Sequence, residues 1–353
     1  VNPIDWVAIV VGSAIVIGTT VSVVKTMVVP RRSWSLLPSL VARGTTALYM
    51  FVARRMRSFD VIDRFLGFLA PSIVLGNVLV WLLAYLVGFG LILAPWTPGF
   101  AESLRESGSS LFTLGFVSTD TPIPATIDII AGATGLIVVA LTIAYLPTLY
   151  AILRDRERLT KQLEARAGSP PWGPHILAGH HEEDALEILP EFFAAWDLWS
   201  AGVAETHTKY PALAQFRLPR AGCHWLTSLL AVLDAAALDL SLRPSTPDPA
   251  ARMLLRVGDV CMADLAHMAR VEDAVDREAP MLDFEEFAAA VTGLSDDGYP
   301  VEVTAEEAWP VFRDLRSAYA STAYLIADVV VAPPGPWSGR RSLPARNRPS
   351  DVS

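Results

Sequence analysis

The stretch Leu111-Phe-Thr-Leu-Gly-Phe-Val-Ser-Thr-Asp-Thr-Pro122 separates two long apolar runs, and its reading decides how the N-terminal half of the chain is built. Upstream lies Phe65–Ala94 and downstream Ile129–Leu153, neither with an Asp, Glu, Lys or Arg. Each is long enough for a helix to cross a bilayer, which takes roughly 20 residues. A third charge-free stretch, Trp6–Val24, is preceded by Asp5 where a secretory signal would be basic, and no small-residue cleavage pattern follows, so it reads as a span. Pro71, early in the second run, predicts a tilt or kink there.

Composition agrees. The 353 residues are 52% hydrophobic, well above a soluble average. Charge is divided unevenly: residues 1–153 hold nine Lys/Arg and seven Asp/Glu, and 154–353 hold nineteen and thirty, giving +2 and −11 of the net −9. The chain therefore reads as a membrane half followed by an acidic, water-soluble half. No basic face is concentrated anywhere, which argues against nucleic acid as a partner. Cys223 and Cys261 stand far apart with no C-x-x-C or Cys/His ladder, so neither a disulfide framework nor a structural metal is expected.

Orientation follows the cations. Arg31, Arg32, Arg43, Arg54, Arg55, Arg57 and Arg64 lie between the first and second runs, and Arg154, Arg156, Arg158 and Lys161 follow the third. The positive-inside bias puts both clusters in the cytoplasm, the N-terminus and residues 95–124 outside, and the C-terminal 200 residues inside. The expected location is the plasma membrane, in a bacterium the cytoplasmic membrane, in contact with lipid. Residues 1–29 then hold the first transmembrane helix and 30–64 a basic segment. Within that segment, Trp34, Leu37, Val41, Leu48 and Val52 recur at helical spacing, which suits a helix on the inner membrane surface. A fourth crossing over 33–53 is the alternative, and it would place Arg31 and Arg32 outside.

Beyond the third run, 154–174 reads as a helical extension ending in the breaker AGSPPWGP. Apolar residues then recur at three- and four-residue intervals over 186–202, 223–242, 249–275, 284–294 and 305–331, predicting a soluble helical domain across 175–331. The Pro-, Ser- and Arg-rich remainder, 332–353, reads as disordered.

Thr97-Pro98 predicts the start of a short helix over 98–112 that dips in from outside, leaving Thr113, Leu114, Gly115, Phe116 and Val117 at membrane depth. Unpaired carbonyls are expensive in lipid, so these need a partner, and a permeating ion or water is one. An ordinary outer loop with a glycine turn is the competing reading, although LFTLGFV is apolar for a solvent turn. The order of span, short helix, T-x-G-[YF] and span is similar to the pore domain of potassium channels, bacterial ones included, in which four TVGYG-type loops surround dehydrated ions with carbonyl oxygens. Thr113, Gly115 and Phe116 match that motif, with Leu114 in place of Val. The family's second Gly is Val117 here and its following Asp is Ser118, while Asp120 and Pro122 lie further along. A β-branched residue is poorly tolerated at positive φ, so the outer half of the filter is expected to depart from the family's geometry.

The resemblance covers 65–153. It implies an all-α membrane protein with three transmembrane helices, a re-entrant pore helix and filter loop between the second and third, and a homotetramer that passes monovalent cations, K+ or Na+, without any other cofactor. Gly132 and Gly135 in the third span suit either a gating hinge or close packing, and Pro147 is a further kink site. Elsewhere the pattern offers little chemistry. His180-His181-Glu182-Glu183 replaces the glycines of a nucleotide-binding turn, and only His180 with Asp184, or His181 with Glu183, would converge on a metal. No triad or carboxylate pair suggests an enzyme. The alternative to a channel is a non-conducting membrane sensor or scaffold whose acidic domain, 175–331, binds a cytosolic protein or ligand.

Overall fold

Charge-free runs, prolines and N-capping residues divide the chain into thirteen α-helices among the described residues. The computed structural model describes residues 2–28, 36–56, 58–117, 119, 121–217, 224–274 and 282–339. Of these 81% are helical and none is in a strand. Several helices are long and apolar enough to cross a membrane, compatible with a membrane-embedded protein. Two compact units emerge: Val1–Phe51 with Leu69–Ala151, and Val52–Phe68 with Ile152–Ser353.

The first unit is built from α1 (Pro3–Met27), α2 (Leu36–Ala53), α4 (Leu69–Leu93), α5 (Phe100–Leu111) and the first thirty residues of α6 (Pro122–Ala167); α3 (Phe59–Leu66) belongs to the second unit. Helices α1 and α4 meet through glycines. A methyl group on Gly12 would stand 2.6 Å from the Gly88 carbonyl, and one on Gly88 would stand 2.8 Å from Val16 Cγ2, so only hydrogen fits at the crossing. Polar side chains in this apolar surrounding find partners across the same seam. Trp81 Nε1 donates to Ser22 Oγ at 3.0 Å, and the hydroxyls of Thr20 and Tyr85 share a bond of 2.9 Å.

Segment 30–64, expected as one interfacial element, contains α2 and α3, and its residues 30–35 and 57 lie outside the described set. Helix α2 is long and apolar enough to be counted among the candidate spans, as the alternative reading required. Among the described residues it meets α4 through Tyr49 OH and Ser72 Oγ, 2.7 Å apart, and through Val41 beside Gly76.

The short helix is α5, and it begins later than expected. A 3-10 turn, Ala94–Trp96, brings the chain off α4, and Thr97 donates its hydroxyl to Ala94 and Gly99 carbonyls, so Gly99 is the N-cap. The helix stops at Leu111, one residue short of the expected end. Its buried face is polar, with Ser103, Glu106, Ser107 and Ser109, and Ser107 donates to the Leu86 carbonyl at 3.0 Å.

In the second unit α9 (Trp225–Leu242) is buried along its whole length. It too is apolar enough to cross a membrane by composition, yet it forms the centre of a core with α7 (Gly173–Glu182), α8 (Leu189–Lys209), α10 (Pro249–Ala269), α11 (Phe284–Asp296), α12 (Ala305–Ser317) and α13 (Ala320–Val329). Caps set the boundaries: Asp248 accepts from Ala250 N, Asp283 from Glu286 N, and Thr304 with Glu307 forms a capping box. The apolar run 305–331, expected as one helix, breaks after Ser317. Here Arg316 and Tyr319 both turn inward to donate to buried Asp234 of α9, each at 2.8 Å.

The helical extension expected from 154 is the end of α6, which continues without interruption to Ala167 before the chain breaks at AGSPPWGP, and Ile152 onward packs with the second unit. One further expectation changes. The segment from Ala332, expected to be disordered, is ordered as far as Gly339, because the Trp337 carbonyl accepts from Arg316 at 2.6 Å and from Tyr324 at 2.9 Å and its ring packs on Trp172 and Phe312. Residues 340–353 lie outside the described set.

Candidate functional site

The loop after α5 is held by one serine. Leu114 N donates to the Ser109 carbonyl at 2.8 Å, and Val117 N donates to the Ser109 hydroxyl at 3.0 Å. Thr113 N donates to the Ser110 carbonyl at 3.0 Å. These bonds use up carbonyls at the end of α5, which would otherwise be unsatisfied, and fold the loop back over its last turn.

Between the two anchors the backbone alternates in hand. Phe112 has φ −92°, Thr113 +53° and Gly115 +70°, while Leu114 and Phe116 are on the negative side. The carbonyls of Thr113, Leu114, Gly115 and Phe116 accept no hydrogen bond among the described residues.

Positive φ at Gly115 costs nothing. At Thr113 it is a strained state for a β-branched side chain, worth of order 1–3 kcal/mol, and strain of this sort persists where surrounding contacts over-determine it. Val117 is not among the positive-φ residues, so the difficulty expected there falls at Thr113 instead. Ser118 and Asp120 lie outside the described residues. Side chains of Phe112, Leu114 and Phe116 are exposed, and the Arg105 guanidinium lies 5.5 Å from the Phe116 ring centre.

Helix α6 closes against this structure through its glycines. A methyl group on Gly135 would stand 2.0 Å from the Leu111 carbonyl, and one on Gly132 would stand 3.2 Å from the Ser110 carbonyl. Ser110 Oγ donates to Asp128 Oδ1 at 2.6 Å. Glu106 of α5 lies beside the same Asp128, with its Oε1 buried and unpartnered among the described residues. Pro147 sits inside α6 without ending it.

Sequence reasoning found the loop but missed its support. Ser109 is one of several serines on α5, and Glu106 and Asp128 are twenty-two positions apart in the chain; neither pattern carries a signal until α5 and α6 pack together. The histidine cluster does not converge. His180 Nδ1 faces the Ile176 carbonyl at 2.7 Å and its ring packs on Phe192, while Asp184 occupies a left-handed turn. No group of three His, Cys, Asp or Glu residues is placed to hold a metal among the described residues. Cys261 is buried in the helical core, and Cys223 lies outside the described residues. No family model, curated protein or solved structure matches the chain.

Proposed function

We propose that four copies of this chain form a cation channel of the potassium-channel type, with backbone oxygens of Thr113–Val117 lining the path for K+ or Na+. The observation that supports it is the strained, alternating backbone at Thr113 and Gly115, which follows a short helix with a polar buried face and lies between two long apolar helices. Strain at a solvent turn has no purpose that a glycine would not serve better. On this reading a carbonyl that accepts nothing from protein exchanges its hydration for the ion's, and four chains close the ring. Gly132 and Gly135 act as packing positions that hold α6 against the end of α5. The chain spans the membrane with its N-terminus outside and its acidic helical unit in the cytoplasm, where that unit assists assembly or controls opening.

The test is K+ and Na+ flux into liposomes containing the purified protein, with particle mass measured in nanodiscs. Wild type should conduct as a tetramer, and Gly115→Ala should abolish or alter conductance. A non-conducting scaffold would be indifferent to that change and sensitive to loss of residues 175–331. A folded tetramer without flux, or a stable monomer or dimer, overturns the proposal.

A further inference from the structure

Beyond Leu153 the first deeply buried charge on α6 is Arg156, only 4% exposed. Among the described residues no carboxylate hydrogen-bonds it, although Glu157 pairs with it as an ion, Oε1 standing 3.7 Å from Nη2. The guanidinium instead donates to the Leu213 carbonyl at 2.8 Å and the Phe216 carbonyl at 3.0 Å, and lies 5.5 Å from the Trp225 ring centre. Trp199 Nε1 donates to the Arg156 carbonyl at 2.9 Å. One guanidinium thus ties α6 to α8, α9 and the 3-10 turn Pro211–Gln215. Its remaining contact is His207 Nε2 at 3.1 Å.

Geometry fixes the protonation of that ring. His207 is fully buried and its Nδ1 lies 3.0 Å from the Val203 carbonyl, which only accepts, so Nδ1 carries the hydrogen. Arginine only donates, so Nε2 presents a lone pair. A proton on Nε2 would set N–H against N–H and place two cations 3.1 Å apart in the protein interior, with the Glu157 carboxylate, 3.7 Å from the guanidinium, as a partial offset.

Among the described residues the other groups around the pair are Glu157, beside Arg156 on α6; Thr206 on α8, whose hydroxyl is 3.3 Å from Nδ1; and Trp225 on α9 at 4.9 Å from the ring, with His224 packed behind it; α10 packs on α8 where Cys261 bonds to the Ala204 backbone. The 3-10 turn contributes backbone carbonyls.

We propose that Arg156 and His207 form a proton-released latch: uptake of one proton from water at His207 Nε2 expels the Arg156 guanidinium and frees this stretch of α6 from α8 and the turn at 211–215. Burial, and next the Arg156 charge, hold His207 well below the ordinary imidazole value. A base so depressed stays neutral in the latched state, while the released state binds a proton below about pH 6.5. Latching is therefore complete above that value and weakens as pH falls beneath it, by up to tenfold per unit. Resting on the channel reading, in which α6 lines the pore, cytoplasmic acidification changes channel opening.

The test measures hydrogen exchange of amides 210–216 in the full-length protein in nanodiscs at pH 7.5 and 5.0, corrected for intrinsic rates, beside K+ flux in liposomes. Wild-type exchange should quicken by up to about 30-fold on acidification. His207→Gln, which accepts from Arg156 but does not titrate, should lose that response. If His207→Gln does not fold, Arg156→Gln serves, with exchange at pH 7.5 already as fast as acidified wild type. An acid response shared by His207→Gln, absent from wild type, or an Arg156→Gln as slow as wild type at pH 7.5 overturns the latch. A wild-type exchange response without flux keeps the latch and removes the channel reading; flux with pH-insensitive exchange does the reverse.

Discussion

Gly135→Ala is the most direct probe of how the loop is held. The new methyl group would stand 2.0 Å from the Leu111 carbonyl oxygen, and ordinary contact begins at 3.4 Å, so the helices must separate locally by the difference, about 1.4 Å. The obstructing atom is backbone, and no rotamer change relieves it. Overpacking of this kind costs about 1–3 kcal/mol, here at the upper end, while alanine in a helix regains about 1 kcal/mol over glycine. The net expectation is a loss of about 2 kcal/mol. Gly18 of α1 is the control, since nothing lies within 4 Å of its added methyl group, and Gly18→Ala should gain about 0.5–1 kcal/mol. Reversible denaturant unfolding in detergent, followed by tryptophan fluorescence, measures both. The two variants should differ by about 3 kcal/mol. Gly135→Ala equal to wild type or more stable would refute the packing argument and return Gly135 to the hinge reading. Because Leu111 immediately precedes the loop, the same variant should also alter flux.

Other expectations follow from single contacts. Ser109→Ala removes the hydroxyl that accepts from Val117 N, and flux selectivity between K+ and Na+ should change while helix content by circular dichroism stays constant. Gly12→Leu drives a branched side chain into the Gly88 backbone and should separate α1 from α4, lowering the melting temperature in detergent without affecting the second unit's near-ultraviolet signal. Arg316→Ala leaves Asp234 buried without its cation, at a cost of about 3–5 kcal/mol, read as a lower unfolding midpoint; an unchanged midpoint would show that the pair contributes nothing. Burial pushes the Cys261 thiol up to about 12, so in a Cys223→Ser background it should resist thiol reagents at pH 8 until the protein unfolds.

Much of the N-terminal half was legible in its runs of apolar residues, because a bilayer-length helix needs only hydropathy and the absence of charge, both written locally. The position of a short helix and its loop between α4 and α6 was legible for the same reason. Hydropathy alone misleads at α9, whose composition equals a membrane helix although its surroundings are other helices of the second unit. Asp234 and Asp239 are the local sign that separates it from the charge-free runs, and they set it in the helical domain from sequence. The residues from Ala332 onward read as disordered from their prolines, serines and arginines, yet Trp337 packs on Trp172 and Phe312, which belong to elements earlier in the sequence.

What the amino-acid order determined by itself is therefore helical content, the division into an apolar and an acidic half, and the location of the TLGFV loop. Tertiary structure decided which glycines mark close approaches, which serine anchors the loop, and why a threonine is held in a left-handed conformation. It also brought Arg156 and His207 together, residues fifty-one positions apart. The physical reason is one of range: helix propensity and hydropathy act within a few residues, whereas steric exclusion, hydrogen-bond satisfaction and the cost of a buried charge depend on atoms that only packing makes neighbours.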